Sequence, residues 1–214
     1  MSCGNTRNLP EDFYALSLEV KNKQNVDESL KSLMDGELIS DYKCDACNQA
    51  VDLKKRSLLG KMPNVLILHL KRFDFDFNTF QNEKVNSRFE FPSVLDVNKY
   101  SFKKHNEQTN DTYEDERLNE LLTQQDDDFI YRLVGVNIHR GSAGHGHYWS
   151  LININRAERE KEGEAWFKVE EDTWKAFDDD EVRVQSFKDV PAESFGGDAT
   201  AMKESEINTF INEG

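Results

Sequence analysis

A histidine on a glycine-rich turn and an acidic tract downstream constrain the fold of this chain most. Residues 144–148 read Gly-His-Gly-His-Tyr, and residues 174–179 read Trp-Lys-Ala-Phe-Asp-Asp. Glycines allow a tight turn before Tyr148 begins a strand, which presents His147 at the edge of a cleft. Such a histidine, followed by an aspartate after an aromatic strand, suggests a general base and its orienting carboxylate. Base and orienter must touch, so we predict that His147 and Asp178 lie within hydrogen-bond reach.

The base and its partner both have competitors in the sequence. His139 and His145 flank or share the glycine loop and compete with His147. His69 lies in an apolar run and is predicted to be a core residue, whereas His105 lies in a polar segment and is predicted to be solvated. Residues 166–171 (Trp-Phe-Lys-Val-Glu-Glu) nearly repeat the 174–179 pattern, which makes Glu170 the rival carboxylate. Aspartate reaches an imidazole with less side-chain freedom than glutamate does, so the second tract is favoured. The alternative for both tracts is a hairpin whose aromatics fill a core and whose acids face water.

The three cysteines indicate a metal site more than a nucleophile. Cys44 and Cys47 have the Cys-x-x-Cys spacing of a zinc knuckle, and Cys3 is a plausible third ligand. A structural zinc site needs four ligands, so the set is incomplete. The alternative is a pair of buried thiols in a ribbon that no longer binds metal. None of the three has a context that looks catalytic, and no organic cofactor is expected.

Charge and composition exclude several classes of protein. The net charge of −14 argues against a generic nucleic-acid binder, because phosphate neutralisation needs clustered Lys and Arg. It favours a basic partner, or serves solubility alone. No apolar run approaches the ~20 residues that span a bilayer, and no secretory signal pattern is visible. An odd cysteine count with one Cys-x-x-Cys pair argues against a disulfide framework and for a reducing compartment or a metal site. We expect an intracellular protein, cytoplasmic or nuclear.

Hydrophobic periodicity predicts a mixed α+β fold with one antiparallel-leaning sheet and few helices. A helix is expected from a cap at Asn25, with Glu28 completing a capping box, to a stop at Gly36. Residues 101–129 are polar and acidic and predict a surface insertion that is mobile or carries one short helix. The predicted strands cover residues 13–20, 50–59, 65–70, 130–138, 148–154, 165–170 and 174–177.

Several motifs in a fixed order resemble the catalytic domain of the ubiquitin-specific proteases, which are papain-like deubiquitinases. The resemblance spans residues 3–197 and is closest to the fat-facets type, which carries a tract like Ser-Phe-Gly-Gly at 194–197. The motifs are residues 13–18 (Phe-Tyr-Ala-Leu-Ser-Leu), 42–44 (Tyr-Lys-Cys), 70–73 (Leu-Lys-Arg-Phe), 89–92 (Phe-Glu-Phe-Pro), 131–136 (Tyr-Arg-Leu-Val-Gly-Val), 146–148 (Gly-His-Tyr) and 174–182.

The resemblance implies roles for particular residues. His147 would be the general base, Asp178 its orienter and Asp179 a helper. Cys3, Cys44 and Cys47 would bind a structural zinc whose ligand set is incomplete. Ubiquitin and ubiquitinated proteins would be the partners, with no nucleic acid and no membrane.

The resemblance also implies a partial fold of fingers and palm without the thumb. The family's nucleophile box (Asn, Gly, Asn, Thr, Cys) has no counterpart here. We expect a fingers portion at 1–62, a palm at 63–197 and an acidic tail at 198–214. The palm sheet would contain residues 65–73, 131–138 and 148–154, and Cys44 and Cys47 would lie at the tip of a β ribbon close to Cys3. The expected function is a deubiquitinase lacking its nucleophile, which alone would be inactive. The alternative is a non-catalytic ubiquitin-binding scaffold.

Overall fold

The computed structural model describes residues 4–125, 129–155, 173–197, 206–208 and 210. Within these residues, helices and strands alternate with many short loops, as an α+β chain predicts. The helices are α1 (Val26–Asp35), α2 (Phe102–Thr109), α3 (Glu116–Leu121) and α4 (Val190–Ser194). The strands are β1 (Leu16–Glu19), β2 (Glu37–Lys43), β3 (Ala50–Lys55), β4 (Leu68–Lys71), β5 (Phe73–Asp76), β6 (Gln81–Lys84), β7 (Val94–Asp96), β8 (Ile130–Arg132), β9 (Gly135–Gly141), β10 (Gly146–Asn153), β11 (Trp174–Asp178) and β12 (Glu181–Gln185).

The chain folds as two compact units, each assembled from three separate segments. The first unit contains the chain up to Ser17, Asp27–His69 and Val97–Phe129. The second contains Leu18–Val26, Leu70–Asp96 and the chain from Ile130 onward. Four two-stranded sheets pair β1 with β4, β2 with β3, β5 with β6, and β7 with β8. No helix in the described ranges is both long and apolar enough to cross a membrane.

The first unit contains α2, α3 and most of α1, and the side chains of Leu30, Leu59 and Leu118 in it are buried. The predicted helix is confirmed, because α1 begins at Val26 and ends before Gly36. Gly36 has a φ of 70° and its N–H donates to the carbonyl of Ser32. This left-handed residue ends the helix in the way that glycine permits.

The acidic segment 101–129 differs from the prediction of a mobile surface insertion with at most one short helix. It contains two helices, α2 and α3, and the side chains of Phe102, Leu118 and Phe129 are buried. Ser101 caps α2 by accepting a hydrogen bond from the N–H of Lys104. One buried apolar side chain in each helix, Phe102 in α2 and Leu118 in α3, is easily overlooked in a polar composition.

The second unit is built on a four-stranded antiparallel sheet in the order β12-β11-β10-β9. One face of this sheet packs against α4 and the turn before it. The shared core contains Ile138, Trp149, Leu151, Trp174, Ala176, Phe187, Val190, Phe195 and Phe210. The register brings the end of β11 beside the beginning of β10, which positions the candidate site.

The predicted sheet membership was wrong for the apolar run at 65–70. Only Leu68 and the residues after it form a strand, β4, which pairs with β1 and not with the four-stranded sheet. Val65 and Ile67 are 65% and 54% exposed, so the run is not a buried strand. The predicted strand at 130–138 is instead two strands, β8 and β9, and the predicted strand at 165–170 lies outside the described residues.

The strand predicted at 13–20 is shorter than expected. Only residues 16–19 form β1, and Tyr14 is almost fully exposed, whereas Leu18 and Val20 are fully buried. Only the second half of the predicted strand therefore contributes buried side chains. Strand β12 was not predicted, because its alternation of Val182 and Val184 with charged residues covers only five positions.

Candidate active site

Strand register places the candidate base and its orienter on the same face of the four-stranded sheet. Ser150 on β10 pairs with Phe177 on β11, so Asp178 is opposite Trp149 one residue further on. His147 lies two residues before Trp149 and therefore shares its face. Its Nε2 contacts Oδ1 of Asp178 at short hydrogen-bonding distance. The predicted contact between these two side chains is confirmed.

Gly141 and Gly146 form the hairpin loop that positions His147. Gly141 pairs with Gly146 across the hairpin and has a φ of 124°, a conformation that strongly favours glycine. Between them the N–H of Ser142 donates to the carbonyl of His145 at 2.8 Å, which closes the loop. Gly144 lies in open space without positive φ. The predicted tight turn is therefore present, and it depends on Gly141 and Gly146 and not on Gly144.

The turn after β11 brings a second carboxylate to His147. Asp178 pairs with Glu181, so Asp179 and Asp180 form a two-residue turn. Asp179 has a φ of 50°, a left-handed conformation that Asp tolerates better than most residues. The ligand-type atoms of His147, Asp178 and Asp179 all lie within 4.8 Å of one another. Asp179 therefore stands beside the pair, where the resemblance placed it.

The electrostatics of the site favour the charged form of the imidazole. The hydrogen bond to Asp178 is the largest influence on the pKa of His147 and raises it above the ordinary value of 6.5. The charges of Asp178 and Asp179 act in the same direction, whereas desolvation and the nearby Arg140 lower it. No partner of the His147 Nδ1 atom is found within the part of the chain that the structure describes. This nitrogen is available to a reacting group.

Two further residues of the site were missed from the sequence. Arg140 pairs with His147 across β9 and β10, and its guanidinium lies 5.1 Å from the ring centre of Trp149. The rings of Trp149 and His147 are nearly parallel, with centroids 6.5 Å apart. Side-chain alternation at 138, 140, 147 and 149 carries this signal, but it becomes visible only once the hairpin register is known.

His139, one of the competing histidines, lies on the opposite face of the sheet and packs as an aromatic side chain. Its ring contacts those of Phe73 and Tyr148, and its Nδ1 is buried without a hydrogen-bond partner among the described residues. Burial, and secondarily Lys84, lowers the pKa of His139 below its ordinary value. His139 is thus not placed to contact Asp178.

The remaining histidines also lie away from this contact. His145 sits in the exposed loop, where its carbonyl closes the turn. His69 is exposed rather than in the core as predicted, and its Nδ1 lies 3.4 Å from the hydroxyl of Ser17. His105 is partly buried beside Arg56 rather than solvated. Of the five histidines, His147 alone is observed with a carboxylate contact among the described residues.

The cysteine pair occupies the turn of the β2–β3 ribbon, as predicted. The N–H of Asn48 donates to the carbonyl of Cys44 at 2.8 Å, and Asn48 has a φ of 56°. Cys44 and Cys47 are thiols and not halves of a disulfide. Within the described residues no third Cys, His, Asp or Glu completes a ligand cluster with them. The pair fits half of a zinc site, and Cys3, like Glu170, lies outside the described residues.

Comparisons with known proteins agree with this geometry. The model of the ubiquitin carboxyl-terminal hydrolase family matches residues 7–205. The chain is 34% identical over 196 residues to ubiquitin carboxyl-terminal hydrolase 9Y of Homo sapiens, covering 86% of this chain and 8% of that protein. It is 30% identical over 203 residues to probable ubiquitin carboxyl-terminal hydrolase FAF of Drosophila melanogaster, covering 92% of this chain and 7% of that protein.

A solved structure shares the fold. The SAGA Ubp8/Sgf11/Sus1/Sgf73 DUB module bound to ubiquitin aldehyde superposes with a TM-score of 0.60 at 27% identity, over 86% of this chain and 34% of that one. The chain spans less than a tenth of the length of the two curated relatives. The resemblance to the fat-facets type and the partial ubiquitin-specific protease fold are both confirmed. The chain belongs to the ubiquitin carboxyl-terminal hydrolase family.

Proposed function

We propose that this chain carries the general base and the orienting carboxylate of a thiol-dependent deubiquitinase. The observation that carries the proposal is the contact between Nε2 of His147 and Oδ1 of Asp178. Because Nε2 faces the carboxylate, Nδ1 remains as the nitrogen that can accept a proton. A histidine held in one tautomer by an aspartate, with its second nitrogen open, is the arrangement a base for a nucleophile requires.

The chemistry follows from this tautomer. Nδ1 of His147 takes the proton of a cysteine thiol, and the thiolate attacks the carbonyl carbon of the terminal glycine of ubiquitin. The departing amine takes the proton from Nδ1, which leaves a thioester. A water molecule, deprotonated by the same nitrogen, then hydrolyses the thioester and frees the thiol. Asp178 stays ionised throughout and stabilises the imidazolium that forms in each half-reaction.

The nucleophile in this scheme is a thiol from outside the 214 residues. Cys44 and Cys47 belong to the ribbon turn of the first unit, where the spacing and turn suit metal binding. Removing a nucleophile from a catalytic triad costs on the order of 10⁶ in turnover in subtilisin, so we expect no measurable hydrolysis from the chain alone.

Ubiquitin is the proposed partner, and the acidic charge of the chain supports it. The net charge of −14 favours the arginines in the C-terminal tail of ubiquitin. The family match and the ubiquitin aldehyde bound by the SAGA relative support the same partner. The second candidate is a non-catalytic ubiquitin-binding module, favoured by the absence of a family-type nucleophile box from the sequence. Either function places the protein inside the cell, where ubiquitin conjugates and reduced thiols occur.

Two measurements on the purified chain test the proposal. We expect no cleavage of a fluorogenic ubiquitin substrate, and chemical-shift changes in ¹⁵N-labelled ubiquitin that centre on its C-terminal tail. Raising the salt concentration should weaken the binding, because charge contributes to it. Unperturbed ubiquitin spectra at millimolar chain concentration would overturn ubiquitin recognition.

Cleavage by the chain alone would contradict the outside nucleophile, and cysteine variants then identify the source. Activity that survives Cys44→Ala and Cys47→Ala but is lost in Cys3→Ala would assign the nucleophile to Cys3. His147→Ala should abolish any such activity, and His145→Ala on the neighbouring loop is the matched control. Activity that persists in His147→Ala would remove His147 from the role of base.

A further inference from the structure

The side chains of His147, Asp178 and Asp179 converge more closely than a base and its orienter require. One imidazole nitrogen and two carboxylate oxygens all lie within 4.8 Å of one another. Among the described residues this is the group of three His, Cys, Asp or Glu side chains whose ligand atoms come this close. His147 and Asp179 are exposed and Asp178 is partly buried, so an ion can reach all three from solvent.

The donor set has a recognisable metal preference. One imidazole nitrogen with two carboxylate oxygens suits Zn²⁺ and its borderline neighbours Co²⁺, Ni²⁺ and Cu²⁺. Mg²⁺ and Ca²⁺ prefer six or more oxygen ligands, which these three side chains do not supply. Two carboxylate charges match one divalent ion. Arg140 opposes binding from the neighbouring strand, but the net charge of −14 attracts cations to the molecule as a whole.

The distances require only small adjustments. In a tetrahedral zinc site with bonds of about 2.0–2.1 Å, ligand atoms lie about 3.3 Å apart. His147 and Asp178, now in direct contact, would separate slightly, and Asp179 would move inward. All three lie at strand ends or in the turn after β11, so side-chain rotation supplies these shifts.

We propose that His147, Asp178 and Asp179 form a binding site for a divalent transition-metal ion such as Zn²⁺, and that the ion blocks the histidine as a base. The blocking step rests on the proposed function, whereas the binding step does not. A metal bound to Nε2 displaces the proton from that nitrogen. The bound neutral imidazole then carries its one ring proton on Nδ1, whether the ring was neutral or protonated before the metal bound. Nδ1 then has no lone pair for a thiol proton, and Asp178 is occupied by the ion.

Metal titration of the chain tests binding without any need for hydrolysis. The cysteines are replaced by serine (Cys3→Ser, Cys44→Ser and Cys47→Ser), so that the thiol site does not compete. Zn²⁺ binding is measured by calorimetry, and ring signals of His147 are followed by NMR. We expect a single site, and we expect the His147 signals to shift as Zn²⁺ fills it. Co²⁺ should bind at the same site without producing the near-ultraviolet absorption of a cobalt–thiolate bond.

Matched variants assign the ligands. Mutating a residue that hydrogen-bonds to a metal ligand typically lowers metal affinity 10–100-fold. Asp179→Asn changes a direct ligand, so it should lower the Zn²⁺ affinity by roughly tenfold or more. Asp180→Asn removes the same charge one residue away and should leave the affinity unchanged. Equal Zn²⁺ affinities in wild type and Asp179→Asn, or His147 signals that do not change on addition of Zn²⁺, would overturn the proposed metal site. Ubiquitin titration in metal-free buffer reports separately on the proposed function.

Discussion

Gly146 packs its backbone against the edge of the His139 ring on the neighbouring strand. A Cβ added to Gly146 would lie 2.0 Å from Nε2 of His139 and 2.5 Å from the carbonyl oxygen of Arg140. Real Cβ atoms do not approach other atoms this closely. Because Gly146 directly precedes His147, this close packing fixes the point at which the candidate base enters its strand.

Gly146→Ala should therefore disturb the site through the backbone. We expect the free energy of unfolding to fall by about 1–3 kcal/mol, as overpacking of a tight contact typically costs. The His147 ring signals should move as the contact with Asp178 loosens. Gly144→Ala is the matched control, since nothing lies within 4 Å of its added Cβ. Chemical denaturation and NMR measure both variants, and an unchanged Gly146→Ala protein would contradict the packing argument.

The pKa of His147 should lie above 6.5 and should fall when its partner is neutralised. Asp178→Asn removes the hydrogen-bonded carboxylate that is the largest cause of the raised pKa, and Asp179→Asn should have a smaller effect. Arg140→Gln should shift the pKa upward, because it removes the cation that opposes protonation. NMR titration of the His147 ring in metal-free buffer measures each shift. Asp180→Asn serves as the charge-matched control.

The same pKa has a consequence for stability that follows from proton linkage. The native state holds the His147 proton more tightly than the unfolded state, whose pKa is close to 6.5. Its contribution to stability is fully present below pH 6.5 and is lost as the pH rises through the native pKa. Asp178→Asn should flatten this part of the stability profile relative to Asp180→Asn. An identical profile in the two variants would contradict the assignment.

The pairing of His147 with Asp178 could be predicted because each of the two sequence signals behind it spans only a few residues. A glycine turn before one strand and an acidic turn after another mark strand ends, and an antiparallel neighbour brings such ends together. Arg140 and Trp149 could not be predicted in the same way. Their positions depend on the β9–β10 register, and a one-residue slip would send both side chains to the other face.

The apolar run at 65–70 shows the opposite limit of sequence reasoning. Hydrophobicity and β-branching predicted a buried strand, yet Val65 and Ile67 are largely exposed in the structure. A hydrophobic pattern indicates that a segment favours burial, but it does not indicate which other segment would cover it. In segment 101–129 the error had the other sign, because Phe102 and Leu118 are buried within a polar composition.

His139 should make the chain less stable in mild acid. Burial, together with Lys84, holds its native pKa below the unfolded value of 6.5, so the unfolded state binds the proton more tightly. Stability is fully present above pH 6.5 and is lost as the pH falls from there toward the native pKa. His139→Phe keeps the ring contacts with Phe73 and Tyr148 but cannot bind a proton. This variant should lose less stability than wild type between neutral and acidic pH in denaturation experiments, and an equal loss would contradict the prediction.

Zinc at the cysteine ribbon should be weakly held. Cys44 and Cys47 supply two thiolates and the family resemblance implies Cys3 as a third, whereas a structural site needs four ligands. We expect the purified chain to lose bound zinc on dialysis against EDTA, as measured by mass spectrometry of the metal. Cys44→Ser should lower zinc content before dialysis, and the exposed Ser40→Ala on the same ribbon should not. One zinc per chain that resists EDTA would show that the site is more complete than three thiolates.

Arg72 is expected to hold the C-terminal end of α4 against the segment that follows β6. Its guanidinium donates from Nη1 to the carbonyls of Val85 and Ser87 and from Nη2 to that of Phe195, at 2.9–3.0 Å. Burial lowers the pKa of Arg72, but arginine stays protonated in proteins. Arg72→Met would remove all three hydrogen bonds; the carbonyl of Phe195 would keep the N–H of Phe89 as a donor, whereas those of Val85 and Ser87 would lose the guanidinium. We expect the free energy of unfolding to fall by about 2–4 kcal/mol.

Two further variants separate the loss of these hydrogen bonds from the loss of charge. Arg72→Lys keeps the charge but lacks the planar fork that reaches three carbonyls, so it should recover only part of the stability. Arg117→Met removes an exposed arginine whose partner, Asp115, lies two residues away, and it should leave the unfolding free energy unchanged. Urea denaturation measures all three proteins. Full recovery in Arg72→Lys would show that charge rather than the guanidinium geometry is what the site requires.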